Sequence, residues 1–180
     1  MKHWIETERI ILRPITLEDA RDMFEYAHDH EVCRYVTWDA HQSVEQTQAI
    51  IRDFFLPKES NEAWIPTFAV VLKDTHKMIG TCDTVAPITI DGNVEIGYSL
   101  NRTYWNHGYA TESCKALCAY LFNEEGVRRI KIRHHVDNIG SRRVIEKCGF
   151  IKEGVERQLV KFEDGYADIA IYSMFKEELK

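Results

Sequence analysis

The chain contains 180 residues, of which 44% are hydrophobic, 29% charged and 11% aromatic. This composition is typical of a soluble globular protein, and the length predicts one domain over residues 1–180 with about 70% of its unfolded surface buried. The formal net charge of −6 argues against a sequence-independent nucleic-acid-binding protein, which needs an excess of basic residues.

No segment has the roughly 20 apolar residues of a membrane-spanning helix, and the first six residues lack the apolar stretch of a signal peptide. The five cysteines are odd in number and scattered, which is typical of reduced thiols. Cys114 and Cys118 would share one helix face, but no His or Cys nearby completes a metal site, so we expect two buried thiols. The sequence therefore predicts a cytoplasmic protein with no bound metal and no membrane partner.

The first third of the chain predicts a strand followed by two helices. Residues 5–13 are typical of a strand that ends before Pro14. Thr16 and Ser43 are predicted helix N-caps, and apolar residues follow each of them at helical spacing. The second helix is predicted to stop at Pro57.

After Pro66 the pattern favours strands, interrupted by two helices. The predicted elements are strands over residues 67–72, 78–88 and 94–100, a helix over 108–125, a strand over 129–136, a helix over 141–147, and strands over 150–162 and 166–175. Polar or Gly-containing turns at 73–77, 91–92 and 163–165 indicate hairpins. A strand–helix–strand unit inside antiparallel hairpins predicts an α/β domain whose mixed sheet has helices on both faces.

A loop that opens a helix, residues 105–112, follows the strand over residues 94–100. Gly108 and Ala110 are small where a bulky side chain would keep a ligand away from the backbone. Free amides at a helix N-terminus favour an anion such as a phosphate group. The spacing matches neither a Walker P-loop nor GxGxxG, and an ordinary strand–loop–helix corner is the alternative interpretation.

A second segment of interest, residues 136–150, also runs from a strand into a helix. Asn138 and Ser141 stand at the start of this helix, where either could simply cap it. Arg142 and Arg143 would lie in its first turn, where cations are unfavourable unless an anion is near. His134 and His135 precede the segment, but neighbouring strand residues point to opposite faces, so they cannot act as a pair.

Together the two segments resemble the GNAT acyltransferase superfamily, and within it the ribosomal-protein N-terminal acetyltransferases of the RimJ/RimL type. The resemblance covers almost the whole chain, through residues 7–9, 12–13, 95–98, 105–112, 138–150, 153–154 and 165–168. It implies the GNAT fold, with a mostly antiparallel seven-stranded sheet, splayed central strands and about four helices.

The resemblance implies acetyl-CoA as the cosubstrate. Its pyrophosphate would rest on the turn formed by His107, Gly108, Tyr109, Ala110 and Thr111. Its pantetheine arm would pair with the backbone near Ser99, Leu100 and Arg102, with Asn138 on the other side. Trp105 stands where the superfamily motif usually carries Gln or Arg.

The implied reaction is direct attack of an amine on the thioester. Glu95 matches a strand position where many GNAT enzymes keep a carboxylate base, and a structural acid paired with Arg is the alternative. Ser141 matches the residue proposed to act on the leaving thiolate, with Tyr104 and Tyr109 as further donors. Val160 stands where the RimL pattern can carry glutamate, which leaves the identity of the base open.

The expected acceptor is the N-terminal α-amine of a protein, with ribosomal proteins as the family default. An α-amine with a pKa near 7.7–8.0 is about one-tenth neutral at pH 7, whereas a lysine is neutral about once in 2,500. A polyamine or aminoglycoside acceptor is one alternative, and a non-catalytic acyl-CoA-binding regulatory protein is another. A homo-oligomer is compatible with the sequence, and no direct nucleic-acid partner is expected.

Overall fold

The computed structural model describes residues 3–59, 61 and 64–179. The strands are β1 (Ile5–Glu6), β2 (Ile10–Pro14), β3 (Phe68–Leu72), β4 (Met78–Thr84), β5 (Asn93–Leu100), β6 (Arg129–His135), β7 (Ile151–Phe162) and β8 (Gly165–Phe175). The α-helices are α1 (Ala20–Ala27), α2 (His30–Cys33), α3 (Val44–Ile50), α4 (Leu56–Glu59), α5 (Tyr109–Asn123) and α6 (Ile139–Cys148).

All eight strands form one sheet in the order β1-β2-β3-β4-β5-β6-β8-β7. Every neighbouring pair is antiparallel except β5 and β6, which are parallel. The predicted mixed α/β sheet is therefore confirmed. Its central parallel pair is joined by α5, as expected for a strand–helix–strand crossover.

The prediction of seven strands is wrong, because residues 5–13 form two strands rather than one. Thr7 makes the turn between them: its backbone N–H donates to the carbonyl of Ile10 at 3.0 Å, and its hydroxyl oxygen lies at the same distance from that carbonyl. The Ile10 N–H in turn donates to Thr7 Oγ1 at 3.1 Å. A threonine hydroxyl that satisfies backbone groups locally competes with a continuous strand.

Two other predicted bounds differ from the structure by more than two residues. The helix expected to stop at Pro57 continues through a π-helical turn (Ile51–Phe55) into α4, and the short helix α2 was not predicted. The described residues therefore hold six α-helices rather than about four. Pro57 lies within α4 and does not end the helix there. The strand predicted over residues 78–88 ends at Thr84, and Pro87, which cannot donate to a ladder, lies in the loop that follows.

The sheet carries an apolar core on each face. Helices α5 and α6 pack on one face, where Cys114 and Cys118 are fully buried as predicted. Helices α1 and α3 pack on the other face, over β3 and the start of β4. On this second face, β5 and the ends of β4 and β6 carry polar side chains instead, and they form part of the site described below.

Two kinds of feature do not occur in residues 3–59, 61 and 64–179. None of their helices is both long enough and apolar enough to cross a bilayer. Nor do three or more His, Cys, Asp or Glu side chains come together as candidate ligands of one metal ion.

Candidate active site

The parallel strands β5 and β6 separate part-way along the sheet. They pair from Asn93 opposite Arg129 to Ile96 opposite Ile132. Beyond this point residues 97–100 pair with β4 and residues 133–135 with β8, so the two strands splay apart as predicted. The facing backbone groups of the splayed strands are available to a ligand that carries amides of its own.

A cavity of about 490 Å³ lies at this opening, a size typical of ligand pockets. Eight of the ten predicted cofactor-binding residues line it, namely Ser99, Leu100, Gly108, Tyr109, Ala110, Thr111, Asn138 and Ser141. The structure therefore brings the two segments of interest from the sequence to one place. Residues of the loop after α2, including Tyr35 and Val36, close the cavity on another side.

The N-terminus of α5 presents unpaired amides to the cavity. Gly108 is the N-cap and has a left-handed backbone with φ of 86°, a conformation that glycine adopts without strain. The first bond of the helix runs from the Glu112 N–H to the Gly108 carbonyl, so the amides of residues 109–111 precede it. Among the described residues no side chain caps this helix, and its free amides fit a phosphate group.

Arg9 fixes the loop that carries these amides. Its guanidinium donates to the His107 carbonyl at 3.0 Å, pairs with Glu112 at 2.6 Å and lies 4.5 Å from the centre of the Tyr109 ring. Burial would raise the pKa of Glu112, but hydrogen bonds from Thr7 and Arg9 outweigh it and lower that pKa. Glu112 therefore stays ionised and holds β1–β2 against the start of α5.

The N-terminus of α6 lies across the cavity from α5. Asn138 caps the helix, since its Oδ1 accepts from the Ser141 N–H at 3.0 Å, which leaves its amide nitrogen for a ligand. Ser141 Oγ lies 2.9 Å from the Tyr98 hydroxyl, and burial raises the pKa of Tyr98 so that the phenol keeps its proton. Asn138 thus caps the helix and also lines the cavity, whereas Ser141 lies inside the first turn and lines the cavity without capping the helix.

Tyr98, Arg143 and Lys147 are among the lining residues that were not predicted as site residues. Tyr98 belongs to the strand segment of interest in the sequence. The alternation of side chains along that strand was the signal that could have indicated its direction toward Ser141. Arg143 and Lys147 line the cavity from α6 and are four residues apart, so they lie on one helix face. They supply positive charge to the cavity, whereas Arg142 lies 3.7 Å from Glu146.

Three predicted residues do not line the first cavity. The Arg102 Nε lies 2.8 Å from Asp29 Oδ2, and the His107 ring lies 2.8 Å from the Trp105 carbonyl. Glu95 is held by Arg133 at 2.7 Å and Lys131 at 3.4 Å, which matches the structural alternative considered for it. Its role as a base therefore stays a prediction.

A second cavity of about 320 Å³ adjoins the first. Tyr35, Val36, Tyr98 and Ser99 line both cavities, so the two meet at the splayed part of β5. The second cavity is walled largely by apolar and aromatic side chains, and its acidic residue is Asp83 on β4.

Asp83 is a further residue that sequence reasoning missed. Its Oδ2 accepts from Thr67 Oγ1 at 3.1 Å and lies 3.6 Å from Lys58 Nζ. Burial raises the pKa of Asp83, although Lys58 and Thr67 act in the opposite direction. An acidic residue inside a buried strand was the one available sequence signal.

The family is settled by comparison with known proteins. The profile of the acetyltransferase (GNAT) domain matches residues 9–151, most of the chain. This chain belongs to the GNAT acetyltransferase family. It is accordingly an N-acetyltransferase that uses acetyl-CoA, and the free amides of α5, the unpaired edge of β5 and the cations of α6 fit that phosphate- and amide-containing cosubstrate.

Relatives of similar length support the same conclusion. The chain is 31% identical over 175 residues to N-acetyltransferase p20 of Bacillus licheniformis, covering 96% of each chain. It is 33% identical over 174 residues to N-acetyltransferase YoaA of Bacillus subtilis, again covering 96% of each. It is also 31% identical over 84 residues, 47% of each chain, to the ribosomal-protein-serine acetyltransferase of Escherichia coli.

Solved structures share the fold. A GNAT-family acetyltransferase from Bacillus anthracis superposes with a TM-score of 0.86 at 26% identity, covering 97% of this chain and 99% of that one. The microcin C7 self-immunity acetyltransferase MccE, solved with acetyl-CoA and AMP, gives a TM-score of 0.82 at 22% identity, covering 94% of this chain and 93% of that one.

Proposed function

We propose that this GNAT enzyme transfers the acetyl group of acetyl-CoA to the N-terminal α-amine of a protein, with ribosomal proteins as the first candidates. The observation that carries the proposal is the meeting of two cavities at the splayed part of β5. One cavity suits a phosphate-bearing thioester, and the other gives a nucleophile a separate approach to the same point. Such an arrangement favours direct transfer while both substrates are bound.

Several residues would hold the cosubstrate, which supplies the reactive thioester. The amides at the start of α5 would bind the pyrophosphate, and Arg143 and Lys147 would add positive charge. The backbone of Ser99 and the amide nitrogen of Asn138 would pair with the pantetheine arm. The Leu100 carbonyl contributes less, because it accepts a bond from the Trp105 indole at 2.8 Å.

Ser141 would stabilise the leaving sulfur. Its hydroxyl is a weak acid but a good hydrogen-bond donor, and Tyr98 orients it at 2.9 Å. Glu95, on the same face of β5 as Gly97 and Ser99, would act as a base only through water, because Arg133 and Lys131 already bind its carboxylate.

An α-amine is the acceptor that asks least of the enzyme. About a tenth of it is neutral at pH 7, so a modest base suffices, whereas a lysine would need a strong one. The similarity to the ribosomal-protein-serine acetyltransferase of E. coli over 84 residues supports the same acceptor class. The net charge of −6 would favour basic ribosomal proteins only weakly and in a salt-dependent way.

The test is acetyl-CoA turnover against short peptides that differ in their first two residues, with spermidine and an aminoglycoside as controls. We expect CoA release with peptides and loss of activity when their α-amine is blocked. Faster turnover of the controls would replace the protein acceptor with a small molecule. CoA binding without turnover of any amine would favour a non-catalytic role.

A further inference from the structure

A carboxylate reaches the junction of the two cavities from the neighbouring strand. Asp83 of β4 is paired with Gly97 of β5, and a Cβ atom at position 97 would lie 3.8 Å from Asp83 Oδ1. Gly97 is followed by Tyr98 and Ser99, which line both cavities. Asp83 Oδ1 therefore lies close to the place where an amine would meet the thioester.

The two oxygens of Asp83 have different surroundings. Thr67 and Lys58 both contact Oδ2, whereas Oδ1 accepts no hydrogen bond within the part of the chain that the structure describes. The side chain is 23% exposed and lines the second cavity, so its Oδ1 is open to a hydrogen-bond donor there. An ammonium group in the second cavity would supply one.

The environment of Asp83 also suits proton transfer. Burial raises its pKa, while Lys58 and Thr67 restrain that rise. A carboxyl group whose pKa lies above the ordinary range takes a proton from an ammonium group more readily than an exposed aspartate does. The contacts to Oδ2 hold the group in place while Oδ1 stays open to the cavity.

The rest of the second cavity restricts what can bind. Trp38, Phe54, Phe55 and Phe162 give it aromatic walls, which suit an apolar group next to the amine. Its fixed positive charges are Lys58 and Arg133. Both are already paired, Lys58 with Asp83 and Arg133 with Glu95, and among the described residues Asp83 is the single acidic side chain of the cavity lining. A second ammonium group of a polyamine would therefore find no carboxylate in this cavity.

We propose that Asp83 is the catalytic base and that the acceptor carries a single positive charge, with an apolar group beside its primary amine. This inference rests on the proposed acetyl transfer. Asp83 takes one proton from the ammonium group and passes it to solvent. The nitrogen then forms a bond to the acetyl carbon as the carbon–sulfur bond breaks, and its second proton ends on the sulfur of CoA.

The acceptor chemistry has two possible sources, a peptide with an apolar first residue and a free monoamine. The experiment measures kcat/KM of the full chain for Leu- and Phe-initiated peptides, 2-phenylethylamine, Lys-initiated peptides and spermidine. We expect at least tenfold preference for the singly charged acceptors over spermidine. Preference for spermidine would overturn the inference while leaving acetyl transfer intact, and inactivity with every amine would instead overturn the proposed function.

Asp83→Asn tests the base directly. We expect a loss of about 100- to 1000-fold in kcat/KM for the acceptor, with the affinity for acetyl-CoA unchanged within twofold. The loss should shrink between pH 6.5 and pH 9, because an α-amine deprotonates unaided at alkaline pH. Lys58, Tyr26 and Cys82 interact electrostatically with Asp83, and Arg133, His134 and His135 line its cavity, so His135→Gln is measured alongside as a control.

Three further variants keep the inference open to contradiction. Asp74→Asn, in the exposed turn of the same hairpin, is the matched control and should retain activity within twofold. Gly97→Ala adds a methyl group at ordinary contact distance, so the fold should persist while the acceptor KM rises at least fivefold. A larger loss in Glu95→Gln than in Asp83→Asn, or equal losses of acceptor and cofactor affinity in Asp83→Asn, would contradict the assignment.

Discussion

At the scale of single residues, the hydrogen bond between Ser141 and Tyr98 is the feature most directly tied to chemistry. Ser141→Ala should lower kcat by about 10- to 1000-fold with little change in acetyl-CoA affinity. Tyr98→Phe should lower kcat by about tenfold, because it removes the group that orients Ser141. Steady-state kinetics of both variants and the double variant check this, and additive effects would show that the two hydroxyls act separately.

Asp83 should also affect stability in a pH-dependent way. Burial raises the pKa of Asp83 in the folded chain. As pH rises from about 3.9, the Asp83 carboxyl therefore loses its proton in the unfolded chain before it does so in the folded chain. Ionisation of Asp83 therefore lowers the free energy of unfolding as pH rises through the raised pKa. The Asp83→Asn variant has no such ionisation. Its free energy of unfolding in urea, minus that of the original protein, should therefore increase from pH 4 to pH 7. A difference that does not change with pH would contradict the raised pKa.

Individual site residues were predictable only where a local motif marked them. Gly108, Asn138 and Ser141 stand at loop-to-helix transitions that are readable from the sequence. Asp83 and Gly97 face each other through strand register, which local patterns do not encode. Their juxtaposition across a hairpin is therefore visible only in the folded chain.

At the scale of elements, the start of α5 is the corner on which cofactor binding depends. Gly108→Val should reduce acetyl-CoA affinity by 100-fold or more, because its side chain would cover the free amides and come within 3.3 Å of Arg9 Nη2. The left-handed backbone at Gly108 adds a folding cost of about 1–2 kcal/mol for a residue with a side chain. Calorimetric titration and thermal unfolding measure the two effects, and retention of the original affinity would remove this corner from the site.

Most helices and strands were predictable because their apolar periodicity and caps agree with the fold. The errors occur where tertiary contacts override local signals. Thr7 closes a turn inside a continuous apolar segment, and its hydroxyl donates a hydrogen bond to Glu112 of α5 at 2.6 Å. Pro57 is accommodated by a new helical turn. Neither outcome can be read from residue spacing alone.

At the scale of the whole molecule, the sheet separates two apolar cores and leaves a polar opening between them. The cavities meet where β5 loses its parallel neighbour, so the same break in pairing serves cofactor and acceptor. The splay was expected from the family resemblance. The second cavity was not, because its lining comes from distant segments of the chain, including the loop after α2, β4 and β7.

Hydrogen–deuterium exchange with and without CoA tests the central claim, that the splayed strands and the start of α5 bind the cosubstrate. Residues 97–100 face the gap left by β6, and the amides of residues 109–111 precede the first bond of α5, so we predict that CoA slows the exchange of the unpaired amides in both segments by at least tenfold. The turn between β7 and β8, residues 163–164, should be unaffected. Protection elsewhere, with both of these segments unchanged, would contradict the account.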